Sequence, residues 1–128
     1  VTPYSPIAQG ALTGRYTREG EEPDEGKKGN LLFTDDYWPH VKEVARMVDA
    51  VADKIGCSSS QAALAWVLQT PGITNAILGA SKFEQWQENL GALEVEIPQE
   101  DYDALDKAGK EVWKRFDPAV SMWGIRHD

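Results

Sequence analysis

An α/β fold is predicted for this chain by three observations. A short β-rich run at residues 74–78 leads directly into a helix start. A second short strand, near residues 1–4, breaks into a loop punctuated by Gly and Pro. Between and after these two runs, apolar residues recur at helical spacing in about four segments. We therefore expect two strands, at 1–4 and 74–79, and about four helices.

The first half of the chain divides into a loop, an excursion and a helix. Residues 19–30 are charged, Gly-rich and without periodicity, so they predict a surface excursion with solvated charges. From Trp38 to Ile55, apolar residues follow the 3–4 spacing of an amphipathic helix, and Gly56 stands where a helix stop is expected.

Two further helices are predicted on either side of the second strand. Ser58 and Gln61 have the spacing of a capping box, and residues 62–68 are apolar nearly all round, which predicts a buried helix. A later helix, from about Pro98 to Lys107, has proline in its first turn and Leu105 on its inner face.

The junction at residues 74–93 carries the strongest functional signal. Free backbone amides and the positive end of a helix dipole meet where a strand ends in Gly79 and a helix begins, which favours an anion. Ser81 and Glu84 predict a capping box there. Polar side chains then share one helical face, and an apolar stripe beside them predicts packing. The polar residues are Gln85, Glu88 and Asn89, and the apolar ones are Phe83, Trp86, Leu90 and Leu93. The alternative is an ordinary strand-to-helix turn with a solvated polar face.

Two motifs together resemble the aldo-keto reductase family. The run Tyr-Ser-Pro-Ile-Ala-Gln-Gly-Ala-Leu-Thr-Gly-Arg-Tyr at 4–16 is similar to the loop after the seventh barrel strand of that family. Leu-Gly-Ala-Ser at 78–81, followed by Gln85, Glu88 and Asn89, is similar to the loop and helix after the eighth. The resemblance runs from Val1 to about Gly109, and it is nearest to the branch that includes potassium-channel β subunits and related bacterial reductases.

The resemblance implies a fold and a place within it. The family forms a (β/α)8 TIM barrel, so residues 1–128 are expected to be its carboxyl-terminal part, with the last two strands parallel and residues 110–128 as a tail. The family's catalytic Asp, Tyr, Lys and His lie on the first four strands and nearby loops, so no catalytic residue is assigned here, and Tyr4 and Tyr16 are not that tyrosine. The chain begins at Val1 without an initiator Met, which favours a truncated piece of a longer enzyme.

The resemblance also implies a nicotinamide cofactor and the residues that hold it. Tyr4 would stack on the nicotinamide ring, and the loop after it would surround the pyrophosphate. The residues after the second strand would approach the adenosine-side phosphates and the adenine. Arg15 and Lys82 favour NADP over NAD, although many members of the family carry Arg where this chain has Gln85. The full cofactor-binding set is Tyr4, Ser5, Pro6, Ile7, Ala8, Gln9, Gly10, Arg15, Gly79, Ser81, Lys82, Gln85, Glu88 and Asn89.

Composition excludes several other classes of protein. A formal net charge of −8 disfavours a nucleic-acid partner, and no apolar run approaches the ~20 residues that span a bilayer. The single cysteine, Cys57, cannot build a disulfide framework and fits a reducing cytoplasm. His40 and His127 lack metal-ligand partners at useful spacing, so we expect surface histidines and no metal.

Three functions are compatible with the sequence. The first is an NADP-dependent reductase of aldehydes or ketones, of which this chain is the cofactor-binding portion. The second is a regulatory subunit like the channel β subunits, with the same cofactor pocket and little turnover. The third is a helical interaction module without a ligand. Unpaired strand edges and the apolar helix at 62–68 predict that the chain alone associates as a homo-oligomer, unless the amino-terminal part of the barrel covers them.

Overall fold

Helices dominate the computed structural model, which describes residues 1–127. Four α-helices occur in this range: α1 (Trp38–Ile55), α2 (Ser59–Gln69), α3 (Phe83–Leu90) and α4 (Gln99–Trp113). Single turns of 3₁₀-helix lie in the loops at Ala8–Gly10, Glu25–Lys27, Leu31–Phe33 and Gly91–Glu94. The core forms where α1, α2 and α4 pack together, and Val48, Ala62 and Leu105 are fully buried at its centre.

The two predicted strands are present only as extended segments. Among residues 1–127 they share one parallel bridge, between Tyr4 and Ile77, and no longer ladder is formed. The amide of Ile77 donates to the carbonyl oxygen of Pro3 at 2.9 Å, and the amide of Thr74 donates to that of Val1 at 3.1 Å. The predicted parallel pairing of the two segments is therefore present, but regular strands at 1–4 and 74–79 are not confirmed among the described residues. Pro3 and Pro6 have no amide hydrogen, which limits the ladder that this edge can form.

Helix α1 begins and ends at the residues that the apolar spacing predicts. Its inward face is buried through Val44, Val48 and Ala52, which recur every four residues. The helix ends at Gly56, whose φ of 85° is left-handed, and the amide of Gly56 donates to the carbonyl oxygen of Ala52 at 2.8 Å. Glycine adopts this conformation without the steric penalty that a side chain brings.

Helix α2 begins with the predicted capping box. The Ser58 hydroxyl accepts from the Gln61 amide at 3.2 Å, and Gln61 Oε1 accepts from the Ser58 amide at 3.1 Å. The apolar run that follows is buried through Ala62, Ala63, Leu64 and Ala65. The helix therefore lies inside the molecule, as its composition predicts.

Helix α4 is longer than predicted and takes the first residues of the expected tail. It runs to Trp113, and charged residues continue the helix past Lys107 on its exposed side. The rest of the tail folds back on the chain, where Phe116 stacks on Tyr37 with ring centroids 4.2 Å apart. The last residue of the predicted 110–128 tail, Asp128, lies outside the described residues.

Residues 19–30 are not a wholly solvated excursion, contrary to the prediction. Asn30 is fully buried, and its side-chain oxygen accepts from the Leu32 amide at 2.9 Å. The amide of Leu31 donates to the carbonyl oxygen of Met122 at 2.7 Å, so the segment is held by the carboxyl-terminal tail. Met122 is distant from this segment in sequence, which is why local periodicity did not reveal the contact.

Helix α3 exposes the stripe that was predicted to pack. The apolar side chains of α3 and of the 3₁₀ turn that follows it form what we call the apolar face. They are 65%, 52%, 43% and 68% exposed in the order Phe83, Trp86, Leu90 and Leu93. Beside this face lies an apolar cavity of about 380 Å³, bounded by α2, the extended segment at 74–80 and α3. The sequence predicts that this stripe packs, and within the described residues nothing covers it, so its packing against the rest of a barrel stays a prediction.

Candidate functional site

A polar groove lies between the loop after Tyr4 and the amino-terminal end of α3. It has a volume of about 560 Å³, and an adjoining pocket of about 400 Å³ shares Ile7, Gln9, Gly10 and Gly79 with it. The two cavities bring together residues from both sequence motifs. Of the predicted cofactor-binding residues, Ala8 and Ser81 line neither cavity, and those that line one or both are Tyr4, Ser5, Pro6, Ile7, Gln9, Gly10, Arg15, Gly79, Lys82, Gln85, Glu88 and Asn89.

The loop wall of the groove has an unusual backbone. Ser5, Ala8 and Gln9 have φ values of 53°, 51° and 56°, in the left-handed region that residues with a side chain rarely adopt. The conformation is supported by the Gln9 side-chain amide, which donates to the Ser5 hydroxyl at 2.6 Å. Such strain costs of order 1–3 kcal/mol per residue and occurs most often at functional sites. The loop is therefore a candidate binding element on backbone geometry alone.

The helix wall is organised by Gln85. Its side-chain oxygen accepts from the Ser81 amide at 3.1 Å, the Ser81 hydroxyl at 3.0 Å and the Lys82 amide at 3.3 Å. The predicted capping box of Ser81 with Glu84 is wrong, because α3 begins one residue later and Lys82 is its N-cap. The Ser81 amide thus already has an acceptor, so a phosphate at Ser81 must compete with Gln85.

Charges of both signs face the groove. The Arg15 guanidinium pairs with the Glu21 carboxylate, and this hydrogen bond and its charge raise the pKa of Arg15. The ammonium group of Lys27 donates to the carbonyl oxygen of Gln9 at 2.9 Å. The lining cations are Arg15, Lys27 and Lys82, and the lining acids are Glu19, Glu21 and Glu88. The groove can therefore hold an anion at particular points but has no excess of positive lining residues.

Several lining residues were not found by sequence reasoning. Lys27 and Glu21 lie in the excursion that was predicted to be solvated, and the tertiary structure brings both to the groove. Tyr16 was named only to exclude it as the family's catalytic tyrosine. It packs edge-on against Phe33 and Trp38, with ring centroids 5.6 and 5.4 Å away. Burial raises the pKa of the Tyr16 hydroxyl.

The described residues provide binding groups but few candidates for other chemistry. Across residues 1–127 there is no cluster of His, Cys, Asp and Glu that could hold a metal ion. His127 is exposed and His40 is half-buried, so the expectation of surface histidines holds fully for His127 alone. None of the helices in this range is long and apolar enough to cross a membrane.

Comparison with known proteins shows the family. The profile described as "Aldo/keto reductase family" matches residues 1–110. The chain belongs to the aldo/keto reductase family. The resemblance predicted from the motifs at 4–16 and 78–89 is thereby confirmed.

Individual relatives of this aldo/keto reductase chain fall into two kinds. An uncharacterized oxidoreductase of Mycobacterium tuberculosis is 34% identical over 110 residues, which cover 86% of this chain and 33% of the relative. An aldo-keto reductase of Strobilurus tenacellus is 28% identical over 112 residues, covering 87% of the chain and 33% of the relative. A protein of Schizosaccharomyces pombe, whose name describes a voltage-gated potassium channel subunit beta, is 35% identical over 128 residues. The match covers 94% of this chain and 34% of the relative.

Membership supports a coarse statement of activity. The aldo/keto reductase chain spans about a third of the length of these relatives. The family implies a TIM-barrel parent, a reductase-type function and a nicotinamide cofactor. The groove residues fit such a cofactor, because a cleft with a strained loop on one wall and a helix N-terminus on the other suits a dinucleotide phosphate.

Proposed function

We propose that the chain is the cofactor-binding, carboxyl-terminal portion of an NADP(H)-dependent aldo-keto reductase that acts on aldehydes or ketones. The observation that carries the proposal is the groove, because it brings the two family motifs together although residues 17–77 separate them. We place the catalytic residues outside this chain, in the part of the barrel that precedes the seventh strand.

Each wall of the groove has a distinct role in this proposal. Tyr4 is 66% exposed and lines the adjoining pocket, so its ring is open to stack on the nicotinamide. The loop from Ser5 to Gly10 would hold the pyrophosphate with its left-handed backbone. On the helix wall, Gly79 and Lys82 would approach the adenosine-side phosphates, and Glu88 with Asn89 would hold the adenine. When bound, the cofactor supplies the hydride, and these residues orient it.

The choice of NADP over NAD depends on few charges. Lys82 lines the groove at the N-cap of α3, which supports binding of a 2′-phosphate. Arg15 is paired with Glu21, so it supports the phosphate less strongly than the sequence predicts. Gln85, which stands where many family members carry Arg, is occupied by the helix start. Titration of the intact protein with NADPH and with NADH, each followed by cofactor fluorescence, measures the preference. Tighter binding of NADH would overturn it.

Asn89 offers the sharpest test of the adenine site. Asn89→Ala in the intact protein should weaken NADPH binding by about 1–2 kcal/mol, the scale of a lost hydrogen bond. Gln87→Ala is the matched control, because Gln87 is exposed on the same helix and lines neither cavity. Equal affinity in the two variants would contradict the assignment of Asn89.

A second part of the proposal concerns what covers the apolar face. We propose that the amino-terminal part of an aldo-keto reductase barrel covers this face, the apolar cavity beside it and the edge of the segment at 74–78. In a TIM barrel each strand pairs on both sides and helices cover the outside, whereas residues 1–127 of this chain supply one parallel bridge. A stable complex between the chain and a separately expressed amino-terminal portion would support this, and failure of the two to associate would contradict it.

A regulatory subunit is a second candidate, favoured by the 35% identity with the Schizosaccharomyces pombe protein. Both candidates require NADPH binding, so turnover separates them. An assay of the intact protein with a broad set of aldehydes and ketones should show NADPH oxidation for a reductase and little for a regulatory subunit. Absence of any cofactor binding would leave the third function, a helical interaction module.

A further inference from the structure

A buried carboxylate on α1 holds the turn that carries one wall of the groove. Asp49 is 9% exposed and lies on α1, outside both sequence motifs. Its Oδ1 accepts from the Ser59 hydroxyl at 2.6 Å, and its Oδ2 accepts from the Thr17 hydroxyl. The Arg18 guanidinium lies 3.3 Å from Oδ1. A buried carboxylate is tolerated when hydrogen-bond donors and an opposite charge compensate its lost hydration. Asp49 has two hydroxyl donors and the Arg18 guanidinium.

The turn itself is compact and closely seated. The carbonyl oxygen of Gly14 accepts from the amides of Thr17, Arg18 and Glu19 at 3.3, 2.8 and 3.3 Å, so residues 14–19 form a single turn. Gly14 has a φ of +84°, and a Cβ there would lie 3.1 Å from the Ser59 hydroxyl oxygen. The turn therefore sits directly on the start of α2, with no room for a side chain between them.

The opposite side of this turn faces the groove. Arg15, Tyr16 and Glu19 line the cavity, while Thr17 and Arg18 point to α1 and α2. Arg18 adds a second tie, because its Nη2 donates to the Asp49 carbonyl oxygen at 2.6 Å. The 14–19 turn thus has a binding side and an anchored side, and on the anchored side Asp49 contacts both Thr17 and Arg18. Arg18 also donates to the Ser59 hydroxyl and pairs with Asp53.

We propose that Asp49 is a positioning residue for the cofactor groove. Its carboxylate fixes the 14–19 turn so that Arg15 and Tyr16 stand at the groove wall, and Asp49 itself does not line the groove. The inference rests on the proposed function, since it concerns the same groove. A wall that is already ordered binds more tightly because less freedom is lost on binding.

The test compares two acids that share Arg18. Asp49→Asn in the intact protein keeps the size of the side chain and removes its charge. We expect the Kd for NADPH to rise by roughly tenfold, the factor that follows from losing one well-placed interaction. Amide hydrogen exchange of residues 14–19 without cofactor should become faster, while exchange within α1 and α2 stays unchanged.

The control is Asp53→Asn. Asp53 also pairs with the Arg18 guanidinium, at 2.9 Å, but its side chain is exposed. Exposed pairs contribute little, so we expect Kd and exchange to stay within about twofold of the original protein. An equal effect of Asp49→Asn and Asp53→Asn would overturn the proposal. It would show that the change in affinity comes from the loss of charge beside Arg18 and not from the buried Asp49 carboxylate.

Two further outcomes are decisive. A folded Asp49→Asn protein with unchanged Kd and unchanged exchange at 14–19 would overturn the proposal. Should Asp49→Asn not fold, Thr17→Val and Ser59→Ala each remove one donor to Asp49, and unchanged exchange in both would overturn it equally. If the original protein binds no NADPH, the proposed function fails, and the exchange comparison still decides whether Asp49 fixes the turn.

Discussion

The ammonium group of Lys27 donates to the carbonyl oxygen of Gln9 at 2.9 Å, across 18 residues of sequence. Gln9 is one of the left-handed residues of the groove loop. Its carbonyl oxygen accepts from the Lys27 side chain and not from a backbone amide of a regular helix or strand. The excursion at 19–30 is thereby attached to the groove. The contact adds a cation where the proposed pyrophosphate lies.

Lys27→Met should weaken NADPH binding by roughly tenfold in the intact protein, since it removes a charge-assisted hydrogen bond and a cation beside the phosphates. Isothermal titration measures the affinity. Lys28→Met is the matched control, because Lys28 is exposed and pairs with Glu25 in the same segment. A loss of affinity in Lys28→Met as large as that in Lys27→Met would indicate a general charge effect.

Glu21→Gln should strengthen NADPH binding severalfold at low salt. The change frees the Arg15 guanidinium and removes an acid from the groove lining, and both effects favour an anion. The gain should shrink as salt rises, because exposed charges are screened. Titrations at two salt concentrations test this, with Glu22→Gln as the control. Unchanged affinity in Glu21→Gln would show that Arg15 does not meet the cofactor.

The apolar face should drive association when this chain is expressed alone. Large exposed apolar patches favour contact with other protein surfaces. The double variant Trp86→Gln, Leu90→Gln should shift the chain toward a monomer in sedimentation velocity, while the double variant Lys107→Gln, Lys110→Gln on α4 should not. If the unsubstituted chain, expressed alone, sediments as a monomer, the expectation is contradicted.

Cys57 should react slowly with iodoacetamide at neutral pH. Burial raises the pKa of its thiol, so less of the reactive thiolate is present than in an unstructured peptide. The same shift means that the unfolded chain loses this proton at lower pH than the folded one. Folding stability should therefore decline as pH rises through the ordinary thiol pKa. Alkylation rates between pH 7 and 10, compared with those of the urea-unfolded chain, test the shift.

Local sequence was sufficient for the elements whose causes are local. The 3–4 spacing between Trp38 and Ile55, and Gly56 after it, specified α1 because a helix repeats every 3.6 residues and ends easily at glycine. Ser58 and Gln61 specified the start of α2 for the same reason, since both partners of a capping box lie within four residues. The start of α3 was predicted one residue too early. Glu84 and Gln85 can both accept from the amides at the helix start, and in the structure Gln85 does so.

The family followed from the sequence alone, and so did most of the residues at the groove. The two motifs resemble those of the aldo/keto reductases in order and spacing, and the family match over residues 1–110 confirms the resemblance. Only the tertiary structure decided which charges meet there. The contacts of Lys27 with Gln9 and of Arg18 with Asp49 join residues 18 and 31 positions apart, and no repeat or spacing in the chain encodes such pairs. The exposure of the apolar face was likewise a tertiary result, because helical spacing predicts which side chains share a face but not what covers that face.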